Sequence, residues 1–256
     1  MNRQVKVIIL QVISVIALPF RIFPSFVRRS ILFSFLVIES RISAPKKTLR
    51  NLFLLKDKLE MLINERASAY GDGEHPKHIL MKYHDYFISN ISDDSTVLDI
   101  GCGHGAVARS IAKKVKGVVV TGIDNNKERL NQAKLNNRLK NIDFIYGDIL
   151  EISGEKKYDV IVLSNVLEHI EERVNFIKKI IILFSPKTIL VRVPLFERHW
   201  EVAMRKELGI NYFSDSTHFI EHTKEEFENE INDAGLRIDD IKILWGEIWA
   251  RCSPNI

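Results

Sequence analysis

Apolar residues fall along this chain in two rhythms. Short apolar runs at 96–100, 118–123, 142–146, 158–163 and 188–193 have the length and β-branched content of strands. Longer segments at 106–116, 127–140 and 168–184 carry apolar residues at helical spacing between them. Val160-Ile161-Val162-Leu163 is apolar without a break, as in a parallel strand covered on both faces. Helix 225–234 stops at Gly235, and 238–251 reads as two further strands. Strand and helix alternate from about residue 95 onward. The pattern predicts an α/β domain: a doubly wound, seven-stranded, mostly parallel sheet.

Upstream the rhythm is helical. Leu52, Phe53, Leu55, Leu59, Leu62 and Ile63 mark an amphipathic helix, broken at Tyr70-Gly71-Asp72-Gly73. A second helix is expected from His78 to Ile91. Residues 194–223 interrupt the α/β alternation with thirty residues of mixed character, an insertion expected to lie over a site. The expected organisation is a basic, hydrophobic segment at 1–50, a helical cap at 51–90, and an α/β domain at 91–256 with its insertion at 194–223.

Charge changes the picture at the N-terminus. Of 37 Lys/Arg and 33 Asp/Glu, residues 1–50 hold nine bases and one acid, Glu39, which leaves 28 bases and 32 acids downstream. The main domain therefore has no basic surplus, and nucleic acid is not an expected partner. Val7–Phe20 and Ser30–Ile38 are uncharged runs of 14 and nine residues separated by Arg21, Arg28 and Arg29. Neither reaches the ~20 apolar residues of a spanning helix. Such runs beside cationic side chains suit an anchor lying on an anionic membrane surface. A helical cap folded onto the domain is a second reading, and a secretory signal, which has the right opening at Met1–Lys6 and no small-residue cleavage site after it, or a true span is a third. Two cysteines exclude a disulfide framework and favour a reducing compartment, so the expected location is cytoplasmic, at the inner face of a membrane.

The chemistry concentrates at Asp99-Ile100-Gly101-Cys102-Gly103-His104-Gly105-Ala106, a strand, a Gly-rich turn and a helix start. Read as Gly101-x-Gly103-x-x-Ala106 with Asp124 downstream, it satisfies a dinucleotide fingerprint, so a nicotinamide-dependent oxidoreductase is one alternative. A non-catalytic, cofactor-binding membrane adaptor is another. Read as Asp99-x-Gly101-x-Gly103-x-Gly105, with Asp124 ending the second strand, Gly147-Asp148-Ile149 the third and Ser164-Asn165-Val166-Leu167-Glu168-His169 the fourth, the series resembles the class I S-adenosylmethionine-dependent methyltransferases.

That resemblance implies S-adenosyl-L-methionine as cofactor. Asp99 and Gly101 would lie at its methionine end, with Gly103 and Gly105 also binding the cofactor. Asp124 would accept from the ribose hydroxyls, Asp148 from the adenine amino group, and Ile149 would lie on the ring. Asn165 would meet the methionine portion. It also implies transfer to a small-molecule acceptor, expected at oxygen, and an N-terminal anchor would suit a lipid-linked or glycan-type one.

Histidines are the candidate bases, because their pKa suits proton abstraction near neutrality. His169 follows the fourth strand; His75 and His78 precede the Gly-rich turn; His218 lies in the insertion. His218 and His222, four apart with Glu221 between, have metal-ligand spacing. The surrounding segment equally resembles the substrate side of small-molecule methyltransferases, which needs no metal, and no metal site is expected. Arg198 in the insertion is a candidate partner for an anionic group, and Trp245 and Trp249 are expected to pack the sheet.

Overall fold

A computed structural model describes residue 20 and residues 22–72, 75–151 and 157–255. The chain divides into two compact units, residues 1–65 and 66–256. The division falls neither at 50 nor at 90, where the sequence pattern breaks. One helix runs unbroken through residue 50, and Tyr83, Tyr86, Phe87 and Ile91 belong to the core of the second unit.

In the first unit, helix α1 (Ser25–Glu39) has no buried residue. It carries the second uncharged run, whereas the first, Val7–Phe20, lies outside the described residues apart from Phe20. Helix α2 (Pro45–Tyr70) follows. Asn51 donates to Glu39 Oε1 at 2.9 Å, tying the two helices together. Phe26, Leu32, Phe33 and Phe35 of α1 are exposed, each more than half. No helix among the described residues is long and apolar enough to cross a membrane.

The second unit opens with two short helices, α3 (Lys77–Met81) and α4 (Tyr83–Ser89), in place of the single helix expected from His78. Lys82 between them has φ +53°, a left-handed residue that no helix accommodates. The sheet then forms in chain order: β1 (Thr96–Ile100), α5 (Ala106–Lys114), β2 (Val119–Asp124), α6 (Lys127–Leu135), β3 (Ile142–Tyr146), β4 (Val160–Ser164), α7 (Arg173–Phe184) and β5 (Thr188–Pro194). The insertion contains α8 (Trp200–Leu208), and the chain closes with α9 (Lys224–Asp233), β6 (Leu236–Leu244) and β7 (Glu247–Pro254).

The seven strands lie in the order β3-β2-β1-β4-β5-β7-β6. The first five are parallel, and β7 runs against both β5 and β6. This is the doubly wound α/β fold. Its order reverses between β1 and β4, which opens a crevice beyond the carboxyl ends of the strands. Alternation along each strand feeds two cores. Leu98, Ile161, Leu163 and Val191 pack with Phe176, Ile177 and Ile180 of α7. Val97, Val160, Val162 and Leu190 pack on the other face with Val107 and Ile111 of α5 and Phe87 of α4. Two buried faces explain why β4 reads as an unbroken apolar run.

Helix α9 begins with a capping box: Glu226 N–H donates to Thr223 Oγ1 at 3.1 Å, and Thr223 N–H donates to Glu226 Oε2 at 2.9 Å. The β6–β7 hairpin turns at Trp245 (φ +57°) and Gly246 (φ +74°), the left-handed pair of a tight two-residue loop. Trp245 is therefore 65% exposed at a hairpin tip and does not pack the sheet; Trp249 is buried and does.

Candidate active site

At the end of β1 the chain must turn from strand into α5 without a side chain on the inner face. Gly101 has φ +65°, and a Cβ there would meet Val166 Cγ2 at 2.8 Å. Gly105, with φ +73°, would place a Cβ 2.5 Å from the ring of Phe144. Both conformation and space demand glycine. Gly103 (φ +54°) has room for a Cβ, and its N–H donates to Asp124 Oδ2 at 2.7 Å. Asp124 also accepts from Asn126 N–H through Oδ1 at 2.7 Å. The buried carboxylate at the end of β2 thus holds the Gly-rich turn and its own loop.

A cleft of about 760 Å³ opens at the carboxyl ends of the parallel strands. Of the sequence-derived residues it is lined by Gly101, Asp124, Asp148, Ile149, Asn165 and His169. Asp148 accepts from Leu150 N–H at 2.9 Å, an Asx turn that aims the loop after β3. Asn165 sits at φ +57° just past β4. Asp99 is displaced from its expected place. It is 1% exposed, does not line the cleft, and its Oδ2 lacks a hydrogen-bond partner among the described residues. Burial pushes its carboxyl up to about 7, with the Asp124 charge adding to the shift.

Asp215 and Thr217 line the same cleft beside His169. Thr217 Oγ1 lies 2.7 Å from Asp215 Oδ1 and 2.9 Å from His169 Nδ1. The Thr217 backbone N–H and hydroxyl hold the Asp215 carboxyl below its ordinary range, so Asp215 is a carboxylate and can only accept. The Thr217 proton therefore goes to Asp215, and Thr217 accepts from His169 Nδ1–H. That fixes the tautomer of His169 and leaves Nε2 with a lone pair. Burial, and then the neighbouring His218, holds His169 below its ordinary pKa, in the neutral form a base requires.

The rings of His169 and His218 meet edge to face, with centroids 4.6 Å apart. His218 Nδ1 lies 3.1 Å from Glu221 Oε1. Burial pushes Glu221 upward, yet hydrogen bonds from His218 and Ser214 and the charge of Arg198 hold it below its ordinary value. Arg198 donates to Glu221 and, at 3.1 Å, to the Tyr212 carbonyl. It braces the insertion and is committed within the protein, contrary to the role expected of it toward an anionic group.

The His218–His222 pair does not converge. His222 is fully buried and its Nε2 lies 3.0 Å from Glu230 Oε2, where Arg173 also donates to the same carboxylate at 2.8 Å. His78 and His75 stand apart from the cleft. His78 Nδ1 lies 2.6 Å from the Tyr83 hydroxyl, and His75 Nδ1 accepts from Lys77 N–H at 3.1 Å. The sequence reading missed Thr217 and Glu168 as site residues. Thr217 lay in the stretch that resembles the substrate side, with no role of its own assigned. Glu168 had a motif signal, as half of the Glu168-His169 pair. It is wholly buried, and burial pushes its carboxyl up to about 7.

These features fit an adenosyl cofactor. Glycines leave the backbone bare at the end of β1, carboxylates with unused lone pairs stand at the ends of β2 and β3, and Ile149 supplies an apolar wall. The fold and the cleft thus define a Rossmann-like, nucleotide-cofactor protein. The methyltransferase-domain family model matches residues 91–242, more than half of the chain, and the chain belongs to that family, the class I S-adenosylmethionine-dependent methyltransferases.

Among characterised relatives it is 38% identical over 95 residues to the (S)-tetrahydroprotoberberine N-methyltransferase of Eschscholzia californica, covering 36% of this chain and 27% of that one. It is 30% identical over 105 residues to the ubiquinone biosynthesis O-methyltransferase of Rickettsia bellii, covering 40% and 42%. The chain therefore spans less than half the length of either relative. The crystal structure of magnesium protoporphyrin IX methyltransferase from Synechocystis with bound S-adenosylhomocysteine superposes with a TM-score of 0.55 at 17% identity, covering 68% of this chain and 83% of that one. At that identity the likeness is one of fold.

Proposed function

We propose that the protein methylates a hydroxyl oxygen of a small, apolar or lipid-linked acceptor. S-adenosylmethionine, held by Gly101, Asp124, Asp148, Ile149 and Asn165, would supply a methyl group activated on a cationic sulfur. The observation that carries the reading is the Asp215–Thr217–His169 chain lining the same cleft as those residues. A hydroxyl is a weak nucleophile until its proton is taken, whereas a neutral amine already presents a lone pair. A neutral histidine with Nε2 free to accept is the group a hydroxyl acceptor requires. His169 is the proposed base and His218 its neighbour. His75 and His78 are not given a catalytic part, because they lie away from the cleft.

The lipid-linked character rests on the first unit. Exposed Phe26, Leu32, Phe33 and Phe35 share α1 with Arg28 and Arg29, a composition suited to the surface of an anionic bilayer.

Calorimetry with S-adenosylhomocysteine and NADH tests the cofactor. Micromolar binding of the former alone, weakened at least tenfold by Asp124→Ala, is expected. NADH binding in its place would make the cleft a dinucleotide site and sink the reading. For the acceptor, S-adenosylhomocysteine release with hydroxyl-bearing membrane-lipid extracts should fall at least 100-fold in His169→Ala. Equal rates in wild type and variant would remove the base.

A further inference from the structure

Glu168 is difficult to explain as a structural residue. Its side chain is wholly buried, yet neither carboxylate oxygen has a hydrogen-bond partner among the described residues. An orphaned buried carboxyl is costly unless something else satisfies it. Arg192, a nearby cation, is taken by Glu247 through two hydrogen bonds. Glu168 and His169 occupy one 3-10 turn, Leu167–His169. Phe219 N–H donates to the Glu168 carbonyl at 2.8 Å, which pins His218 beside that turn. As a result one ligand atom from each of Glu168, His169 and His218 lies within 4.8 Å of the other two.

The tautomers are already set. Asp215, through Thr217, keeps the proton of His169 on Nδ1; the Glu221 carboxylate does the same for His218. Both imidazoles are left with Nε2 as an acceptor. Carboxylates that orient histidines in this way are the usual outer support of a metal centre.

We propose that Glu168, His169 and His218 form a binding site for one divalent transition-metal ion, its remaining coordination positions open to the cleft. Two imidazoles and one carboxylate suit zinc, cobalt, manganese or ferrous iron, and not the all-oxygen preferences of calcium or magnesium. Three protein ligands leave room for an exogenous oxygen. With the ion bound, His169 would serve as a ligand through Nε2 in place of the base role it has in the metal-free site, and an acceptor hydroxyl on the ion would be acidified directly, its proton passing to water at the cleft mouth. That last role rests on the methyl-transfer reading; the ion site does not.

The test uses the untagged full chain after chelation and dialysis, titrated with Co²⁺ and Zn²⁺ by calorimetry and, for Co²⁺, visible absorption. One ion per chain is expected. Glu168→Gln preserves the shape of a neutral carboxyl, and His218→Ala removes one imidazole; each should weaken binding at least tenfold. Thr217→Val, which breaks the link from Asp215 to His169, should weaken it about tenfold, the scale of an outer-support loss. His199→Ala should leave it unchanged. Absence of saturable binding, or equal affinity in wild type, Glu168→Gln and His218→Ala, would overturn the proposal. S-adenosylhomocysteine binding measured on the same samples separates the two claims. Metal binding without it sinks the cofactor reading alone. Its retention in a variant that has lost metal shows an intact fold and assigns the loss to the site.

Discussion

Gly101→Ala probes the first step of the site's construction. Two costs follow from the backbone and its surroundings. An alanine at φ +65° occupies the left-handed region, at about 1–2 kcal/mol. Its Cβ would also meet Val166 Cγ2 at 2.8 Å, an overlap of the kind that costs about 1–3 kcal/mol in a packed interior. Together they destabilise the fold by about 2–5 kcal/mol. The two contributions separate in a double-mutant cycle. Val166→Ala removes the methyl that collides, so in that background Gly101→Ala should cost only the conformational part, about 1–2 kcal/mol. Equilibrium urea unfolding of the four proteins measures both numbers. Because Gly101 and Val166 line the cleft, calorimetry should also show S-adenosylhomocysteine affinity reduced at least tenfold in Gly101→Ala, about 1.4 kcal/mol. A Gly101→Ala cost below about 0.5 kcal/mol would refute both arguments. The same cost in both backgrounds would refute the steric one.

Two further outcomes concern the frame around the site. Burial pushes the Glu230 carboxyl upward, but His222 and Arg173 prevail and hold it at about 2, below its ordinary 4.5. A depressed carboxyl contributes stability that is complete above about pH 4.5 and is lost as pH falls toward 2, here about 3 kcal/mol. Urea midpoints between pH 6 and pH 2.5 should therefore fall more steeply in wild type than in Glu230→Gln, and parallel curves would remove the pair from the acid response. Thr223→Ala deletes the capping box of α9 and should cost about 1 kcal/mol in thermal or urea unfolding, with Thr223→Ser nearly neutral.

Much of the α/β unit was legible because its signals are local. Strand length, β-branched content and period depend on near neighbours, so all seven strands stand close to where the pattern put them. The Gly-rich turn was legible for the same reason, since a left-handed backbone asks for glycine wherever it occurs. Lys82 was not legible: lysine carries no signal for a left-handed residue, and its conformation follows from the packing of Tyr83, Tyr86 and Phe87 against the sheet. The limit of the first unit was hidden likewise, because α2 continues through a change in composition that has no structural consequence.

The sequence by itself determined the chemistry at the strand ends. Asp124 ends a parallel strand and Gly101, Asp148 and Asn165 each follow one, and parallel strands deliver their carboxyl ends to one edge whatever the rest of the chain does. Only the tertiary structure decided the histidines. The four-residue spacing of His218 and His222 has meaning on a helix, and residues 209–222 form none, so His222 turns inward to Glu230 while His218 meets His169 from a distant turn. Glu168 depended on the same closure. Its burial and its orphaned oxygens exist only once the insertion lies against the turn after β4, since a side chain's partners are set by what folds over it.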